Sequence, residues 1–328
     1  MNTNGAAVQK KTIKERMGSM GNNLSLIIAI VALWVVLGIA SPFFSSFDNL
    51  MTILLASAIT LIRASGATIA MITGGMDLSQ NATGAIAGVV CATVSVSMGA
   101  PIWLVILLAV GLGLGFGAIN GVLIAYLKIN PIITTIATMQ IFRGIAWLFT
   151  DVTIQVADKS LIFMGRGYIG GVVPVSVLIA FGFFFIAFFL LKYTRFGRQV
   201  YMVGGNETAS RLSGINSNKI KFICYLLSGL CAGFAGMLLS AQVGAALPSS
   251  GSGTEMDVIA AIVLGGLSLS GGKGSMVGTL LGILILSIIA NGLQVLGVNQ
   301  YVQWVVTGSI LILAVLIDVI RSGALKKQ

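Results

Sequence analysis

Residues 101–126 read P-I-W-L-V-I-L-L-A-V-G-L-G-L-G-F-G-A-I-N-G-V-L-I-A-Y, an unbroken run without a single charged side chain. A helix rises about 1.5 Å per residue and needs roughly 20 apolar residues to cross a hydrocarbon core of about 30 Å. The run therefore predicts a membrane-spanning helix. Gly113, Gly117 and Gly121 recur every fourth residue within it, a spacing that lets a neighbouring helix approach closely. Gly229, Gly233 and Gly236 predict a second such face further along the chain.

Similar windows recur through the rest of the sequence. Spans are predicted at 24–43, 50–72, 80–98, 101–126, 130–150, 172–192, 218–243, 256–271, 275–296 and 300–320, the third and eighth being short and polar-edged. Composition agrees: of 328 residues 57% are hydrophobic and only 9% charged, with a mean hydropathy of +1.02, whereas soluble domains carry about 25% charged residues. The expected fold class is an all-α integral membrane protein of about ten transmembrane helices. It divides into a basic tail at 1–23, a membrane domain at 24–321 with a polar loop at 193–217, and a short tail at 322–328. The first 23 residues resemble the start of a signal peptide, but no small-residue cleavage site ends the long run that follows, which favours a retained anchor.

Charge orients the bundle. With the N-terminus inside, Lys10, Lys11, Lys14 and Arg16, the loop at Lys128, the cations from Lys192 to Lys221, Lys273, and Arg321, Lys326 and Lys327 all fall on the cytoplasmic side. Only Lys159 and Arg166 fall opposite, and Arg63 and Arg143 lie within spans. The positive-inside rule thus predicts both termini in the cytoplasm. The net charge of +10 is explained by topology and anionic lipid, with no nucleic-acid partner implied. Histidine is absent, which removes the usual proton relay and the commonest metal ligand. Cys91, Cys224 and Cys231 sit in apolar stretches, where the thiol serves as a small hydrophobe.

Two dipeptides echo across the chain: Met76-Asp77 as Met256-Asp257, and Asn120-Gly121 as Asn291-Gly292. Each Met-Asp opens a short glycine-rich span and each Asn-Gly lies in a longer span after it. Five spans in each half would make the halves inverted copies, a transport architecture with its site near the midplane.

Candidate site residues cluster at the irregular points. Gly74-Gly75-Met76-Asp77-Leu78-Ser79 reads as a helix cap or as a hinge at a broken helix, with polar Gln80, Asn81 and Thr83 meeting the translocation pathway. Arg63 lies mid-span, where a guanidinium costs about 2.5–3.5 kcal/mol on insertion scales and must be paired, hydrated or turned inward. Asn120 and Asn291 either line the pathway or hydrogen-bond between helices. Arg143 lies near a span end, where snorkelling would account for it. The candidate pathway set is therefore Asp77, Gln80, Asn81, Asn120, Asn291 and Arg63.

Residues 204–215, G-G-N-E-T-A-S-R-L-S-G-I, form a polar island on the basic face. Asn206 suits an N-cap, Glu207 the positive end of a helix dipole and Gly214 the stop. A short capped helix accessible from the cytoplasm is predicted. Gly271-Gly272-Lys273-Gly274-Ser275 lacks the spacing of a phosphate loop. No Walker motif and no constellation of nucleophile, base or metal ligands occurs, so any energy comes from another chain.

The stretches I-T-G-G-M-D-L-S (72–79), G-A-I-N-G-V-L-I-A (117–125), P-I-I-T-T-I-A-T-M-Q-I-F-R-G (131–144), F-G-R-Q-V-Y-M-V-G-G-N-E-T-A-S-R-L-S-G-I (196–215) and M-D-V-I-A-A-I-V-L-G-G-L-S-L-S-G-G-K-G-S (256–275) together resemble the permease subunit of ribose-, xylose-, arabinose- and galactose-type ABC importers. The resemblance runs over residues 24–321. It implies a type II importer-like permease in the bacterial cytoplasmic membrane, without cofactor. Its implied partners are ATP-hydrolysing subunits, a periplasmic or lipid-tethered sugar-binding protein and a second permease copy, a homodimer being expected. It also makes residues 204–215 the coupling helix, with Asn206, Glu207, Arg211 and Leu212 meeting the ATPase. Rival readings are an ion-coupled secondary transporter and an ABC permease for another small solute such as a branched-chain amino acid.

Overall fold

The computed structural model describes residues 23–322. Of the N-terminal and C-terminal tails expected from the sequence, residues 1–22 and 323–328 lie outside the described residues. Helix α1 (Asn23–Ala40) leads through a short 3-10 turn into α2 (Phe47–Ile72), which Ser46 caps by accepting from the Asn49 N–H. Then follow α3 (Gln80–Met98), α4 (Ile102–Gly121), continued by a wider π turn over Val122–Tyr126, and α5 (Pro131–Phe149). Asn130 caps α5 and Pro131 occupies its first position, where a missing N–H costs nothing.

A mostly irregular segment carries β1 (Ile154–Gln155), α6 (Lys159–Arg166), β2 (Tyr168–Ile169) and β3 (Val173–Pro174). Beyond it run α7 (Val175–Tyr193), α8 (Arg195–Gly205), α9 (Glu207–Leu212) and α10 (Ser217–Val243). The chain closes with β4 (Ala245–Ala246), α11 (Glu255–Leu264), α12 (Met276–Val295) and α13 (Gln300–Ser322). β1 pairs antiparallel with β4, tying the segment after α5 to the loop after α10.

Among the described residues eight helices are long and apolar enough to cross a membrane: α1, α2, α3, α4 with its π turn, α5, α7, α10 and α12. The predicted span at 256–271 needs correction. Its helix, α11, is only 10 residues long and stops at Leu264, about half the length that a crossing requires. Gly266, Gly271, Gly272 and Gly274 all take positive φ in the segment that follows, a conformation that ends helices because residues with a Cβ avoid it.

α10 is the hub, packed against α2, α3 and α4. A Cβ added at Gly113 or Gly117 of α4 would collide with the backbone of α10 around Gly229 and Tyr225, and one at Gly236 of α10 with the backbone of Gly84 in α3. The glycine faces therefore let backbones touch, gaining dispersion contacts where lipid provides no hydrophobic drive. Leu148, Phe185, Ile186 and Phe189 are among the exposed side chains of the outer surface, as a hydrocarbon surround demands.

Candidate functional site

The chain is broken around 74–79, where the sequence predicts a helix cap or a hinge. α2 stops at Ile72, Gly74 takes φ +82°, and α3 begins only at Gln80. Backbone groups freed by the break are taken up by neighbours: Tyr225 Oη donates to the Met76 carbonyl at 3.2 Å. Gly75 is required there, since a Cβ would overlap that phenol oxygen.

Around the break, polar side chains form one continuous hydrogen-bonded chain. Arg63 Nη1 donates to Asn81 Oδ1 at 2.7 Å, and Asn81 Nδ2 donates to the Gly251 carbonyl at 2.7 Å and to Thr254 Oγ1 at 3.0 Å. Gln80 Nε2 donates to the Arg63 carbonyl at 3.2 Å and to Ser228 Oγ at 2.8 Å. Ser228 Oγ donates to Asp77 Oδ2 at 2.6 Å, while the Ser79 N–H and hydroxyl donate to Asp77 Oδ1 at 3.1 and 2.6 Å. Asn120 Nδ2 then donates to Ser79 Oγ at 2.7 Å and its Oδ1 accepts from Thr138 at 2.7 Å.

Arg63, Asp77, Ser79, Gln80, Asn81, Asn120, Thr138 and Ser228 are all buried. An unpaired polar group in this setting costs several kcal/mol, and the cluster meets most of this cost by internal pairing, Arg63 Nε being left without a partner among the described residues. Five of the six candidate pathway residues are thus brought together. Capping takes a different form from the one expected: the Ser79 side chain accepts from no helical N–H, and Asp77 holds the turn by accepting from Ser79.

Asn291 lies apart from this chain. It pairs reciprocally with Asn49 at 2.9 and 3.0 Å. Arg143 is also placed differently from the snorkelling expected of it. Its Nη1 donates to the carbonyls of Pro248 and Ser250, both at 2.7 Å, and Nη2 lies 3.5 Å from Glu255 Oε1. The guanidinium turns inward because three acceptors converge on it, and it pins the 244–254 loop to α5.

At the other site, Asn206 caps α9 by accepting from the Ala209 N–H at 2.9 Å, and Gly214 beyond the helix takes φ +80°. Glu207 gathers three cations: Arg211 in the next turn, Lys221 of α10 at 2.5 Å, and Lys128 of the α4–α5 connection at 3.7 Å. Partial burial alone would raise the Glu207 carboxyl, but the hydrogen bonds and charges of Lys221 and Arg211 outweigh it and hold it below its usual range. Leu212 projects with 86% of its surface exposed.

α9 is joined to the break. Gly204, two residues ahead of its cap, sits so close that a Cβ would overlap the Ile72 carbonyl and crowd the Gly272 N–H. Gly272 donates to Ile72 at 2.8 Å, and Tyr201 of α8 donates to the Gly274 carbonyl at 2.9 Å. The end of α8, the end of α2 and the segment after α11 therefore meet at one junction. Ser228, Thr138, Glu255, Lys128 and Lys221 complete these sites without having been singled out from sequence. Hydroxyls on small-residue faces and cations on a basic face carry no local signal of a distant partner.

Comparisons with known proteins agree with this architecture. The family profile for "Branched-chain amino acid transport system / permease component" matches residues 49–315. The ribose import permease protein RbsC of Escherichia coli (strain K12) is 40% identical over 297 residues, covering 89% of this chain and 92% of the relative. RbsC of Bacillus subtilis (strain 168) is 40% identical over 305 residues, covering 92% and 93%. The galactose/methyl galactoside import permease protein MglC of E. coli (strain K12) is 35% identical over 312 residues, covering 90% and 93%. No solved structure gives a significant match. With these extents of similarity, the chain belongs to the branched-chain amino acid transport system / permease component family.

Proposed function

We propose that this chain is the membrane-spanning subunit of an ATP-driven importer and forms the translocation path for a neutral monosaccharide, a pentose or hexose. The observation that carries this reading is the junction at Gly204. It ties the end of α8, which leads directly into the exposed helix α9, to both broken segments, so a push on α9 reaches the places where the spans are discontinuous. A chain with no Walker motif needs such an input from outside.

In this reading α9 docks into an ATPase subunit through Leu212 and the Glu207–Arg211 edge, with Asn206 holding the helix start. The chain sits in the bacterial inner membrane as two inverted halves, each contributing one break, with α11 and the extended segment after it together completing one crossing and both termini in the cytoplasm. It pairs with a second copy and receives its solute from a periplasmic or lipid-tethered sugar-binding protein. Asp77, Gln80, Asn81, Asn120 and Arg63 hold the breaks in register beside the pathway and exchange partners when it opens; Asn291 anchors α12 to α2.

The family description speaks of branched-chain amino acids, whereas the relatives at 35–40% identity across nine-tenths of the chain are named for ribose and galactose. Close relatives track solute class better than a broad profile, so sugar is the first reading and a branched-chain amino acid the second. The test is uptake in proteoliposomes containing the chain with its ATPase and binding protein, challenged with a panel of sugars and amino acids. ATP-dependent uptake blocked by a pentose or hexose supports the proposal. Competition by leucine or valine alone would replace the sugar, and uptake by this chain alone, abolished by an uncoupler, would replace the importer. Within the same assay, Glu207→Lys combined with Arg211→Glu is expected to abolish ATPase stimulation; intact stimulation would remove α9 from the coupling role.

A further inference from the structure

A carboxamide in the middle of a spanning helix must be bonded or hydrated, because hydrocarbon offers it no partner. Asn120 of α4, Gln80 and Asn81 at the head of α3 and Asn291 of α12 obey this rule by burial and pairing. Gln140 does not. It is the tenth residue of the 19 in α5, its side chain is exposed, and among the described residues its amide has no hydrogen-bond partner.

The face that carries it is well defined. At about 100° per residue, Ile133, Ala137, Gln140 and Gly144 form one stripe, opposite the buried Thr135, Thr138, Phe142 and Ala146. Its neighbours on that stripe, Ala137 and Gly144, are small, and a Cβ added at Gly144 would meet nothing within 4 Å. The amide therefore stands uncovered by the side chains of its own stripe.

Arg143, three residues on, clamps the 244–254 loop to the same helix. That loop exposes Ser249 and Ser252, and Glu255 balances the Arg143 charge at 3.5 Å. Hydroxyls and a carboxamide, each able to donate and accept, are thus offered without net charge. This suits a neutral polyhydroxylated ring and disfavours a zwitterion, whose ends need opposite charges.

We infer that the α5 face centred on Gln140 lines the solute path, its carboxamide exchanging hydrogen bonds with the hydroxyls of a neutral polyhydroxylated solute. Ser249 and Ser252 are exposed on the loop that Arg143 holds to the same helix. The inference rests on the importer reading and adds a solute-contacting residue to it.

The test uses the assembled importer in proteoliposomes and a charged, membrane-impermeant thiosulfonate. Cys91, Cys224 and Cys231 are buried, so the unsubstituted chain provides the background. Gln140→Cys is expected to react about tenfold faster than Ile186→Cys, an exposed mid-helix control on α7, since only a hydrated thiol is reached by a charged reagent. A transported sugar at saturation should slow that reaction. Gln140→Leu should raise the sugar concentration for half-maximal uptake up to about tenfold, the loss of one hydrogen bond, with Gln140→Asn restoring part of it. Reaction of the Gln140→Cys thiol only with a lipid-soluble maleimide would overturn the inference, as would cross-linking of that thiol to the second copy with uptake unchanged. Labelling is read without turnover, so it fails separately from the importer reading, which falls if the unsubstituted complex moves no sugar.

Discussion

The amide N–H of Gly272 donates to the carbonyl of Ile72 at 2.8 Å, joining the segment after α11 to the last residue of α2 across 200 positions of sequence. Gly204 is wedged against the same carbonyl, so this short backbone contact is the meeting point of α8 with two discontinuous segments. Its tightness makes it testable.

Gly204→Ala forces a methyl group into the Ile72 carbonyl. Overpacking of this kind costs about 1–3 kcal/mol, and α8 must lift away to relieve it. The expected outcome is an importer that still binds its ATPase but moves about tenfold less solute per ATP hydrolysed. Gly205→Ala is the control, because a Cβ there meets nothing within 4 Å, and it should leave the coupling ratio unchanged.

Asn49 and Asn291 hold α2 to α12 by a reciprocal pair. Asn291→Leu leaves the Asn49 carboxamide with only the Phe44 carbonyl, at 2.8 Å. Destabilisation of about 1–2 kcal/mol is expected in detergent unfolding, in line with interhelical hydrogen bonds in membranes. Adding Asn49→Leu should cost less than the sum of the single changes, since no carboxamide then remains unpaired.

Arg143 bridges two loop carbonyls and Glu255, which only a planar, forked cation can do at once. A spin label at position 252 should report a more mobile 244–254 loop in Arg143→Met, with Arg143→Lys falling between it and the native chain. Glu255→Gln should loosen the loop less, because both carbonyl bonds survive.

The Glu207 carboxyl is held below its usual range by Lys221 and Arg211 against the opposing effect of burial. A lowered value means that the ion pairs stabilise α9 fully above the unperturbed value of 4.5 and are lost as pH falls through the lower folded value. Protection of the α9 amides against hydrogen exchange should therefore fall below about pH 4.5. Glu207→Gln should remove that step and show about threefold weaker protection at pH 7, the scale expected of exposed ion pairs.

Much of the bundle was legible because hydrophobic length is a local property. Predicted spans at 80–98, 101–126 and 218–243 agree with α3, α4 and α10 to within a residue. The eighth failed because 256–271 is apolar enough to span, and apolarity does not reveal that the glycines from Gly266 onward break the helix. Asn206, Glu207 and Gly214 were readable as a capped helix since capping acts over three or four residues. Arg143 was misread for the opposite reason: its acceptors lie more than 100 residues away.

Sequence alone therefore determined the solvent of this protein, the rough limits of most of its spans, the glycine faces on α4 and α10, and the short helix at 207–212. Each follows from short-range periodicity, charge or capping. Only tertiary structure decided that Arg63, Asn81, Gln80, Ser228, Asp77, Ser79, Asn120 and Thr138 form one chain, that Asn291 belongs with Asn49, and that Gly204 rests on Ile72. Those pairings depend on which faces meet once helices pack. A side chain in hydrocarbon takes whatever partner the packing brings, because leaving it unpaired costs more than any local preference.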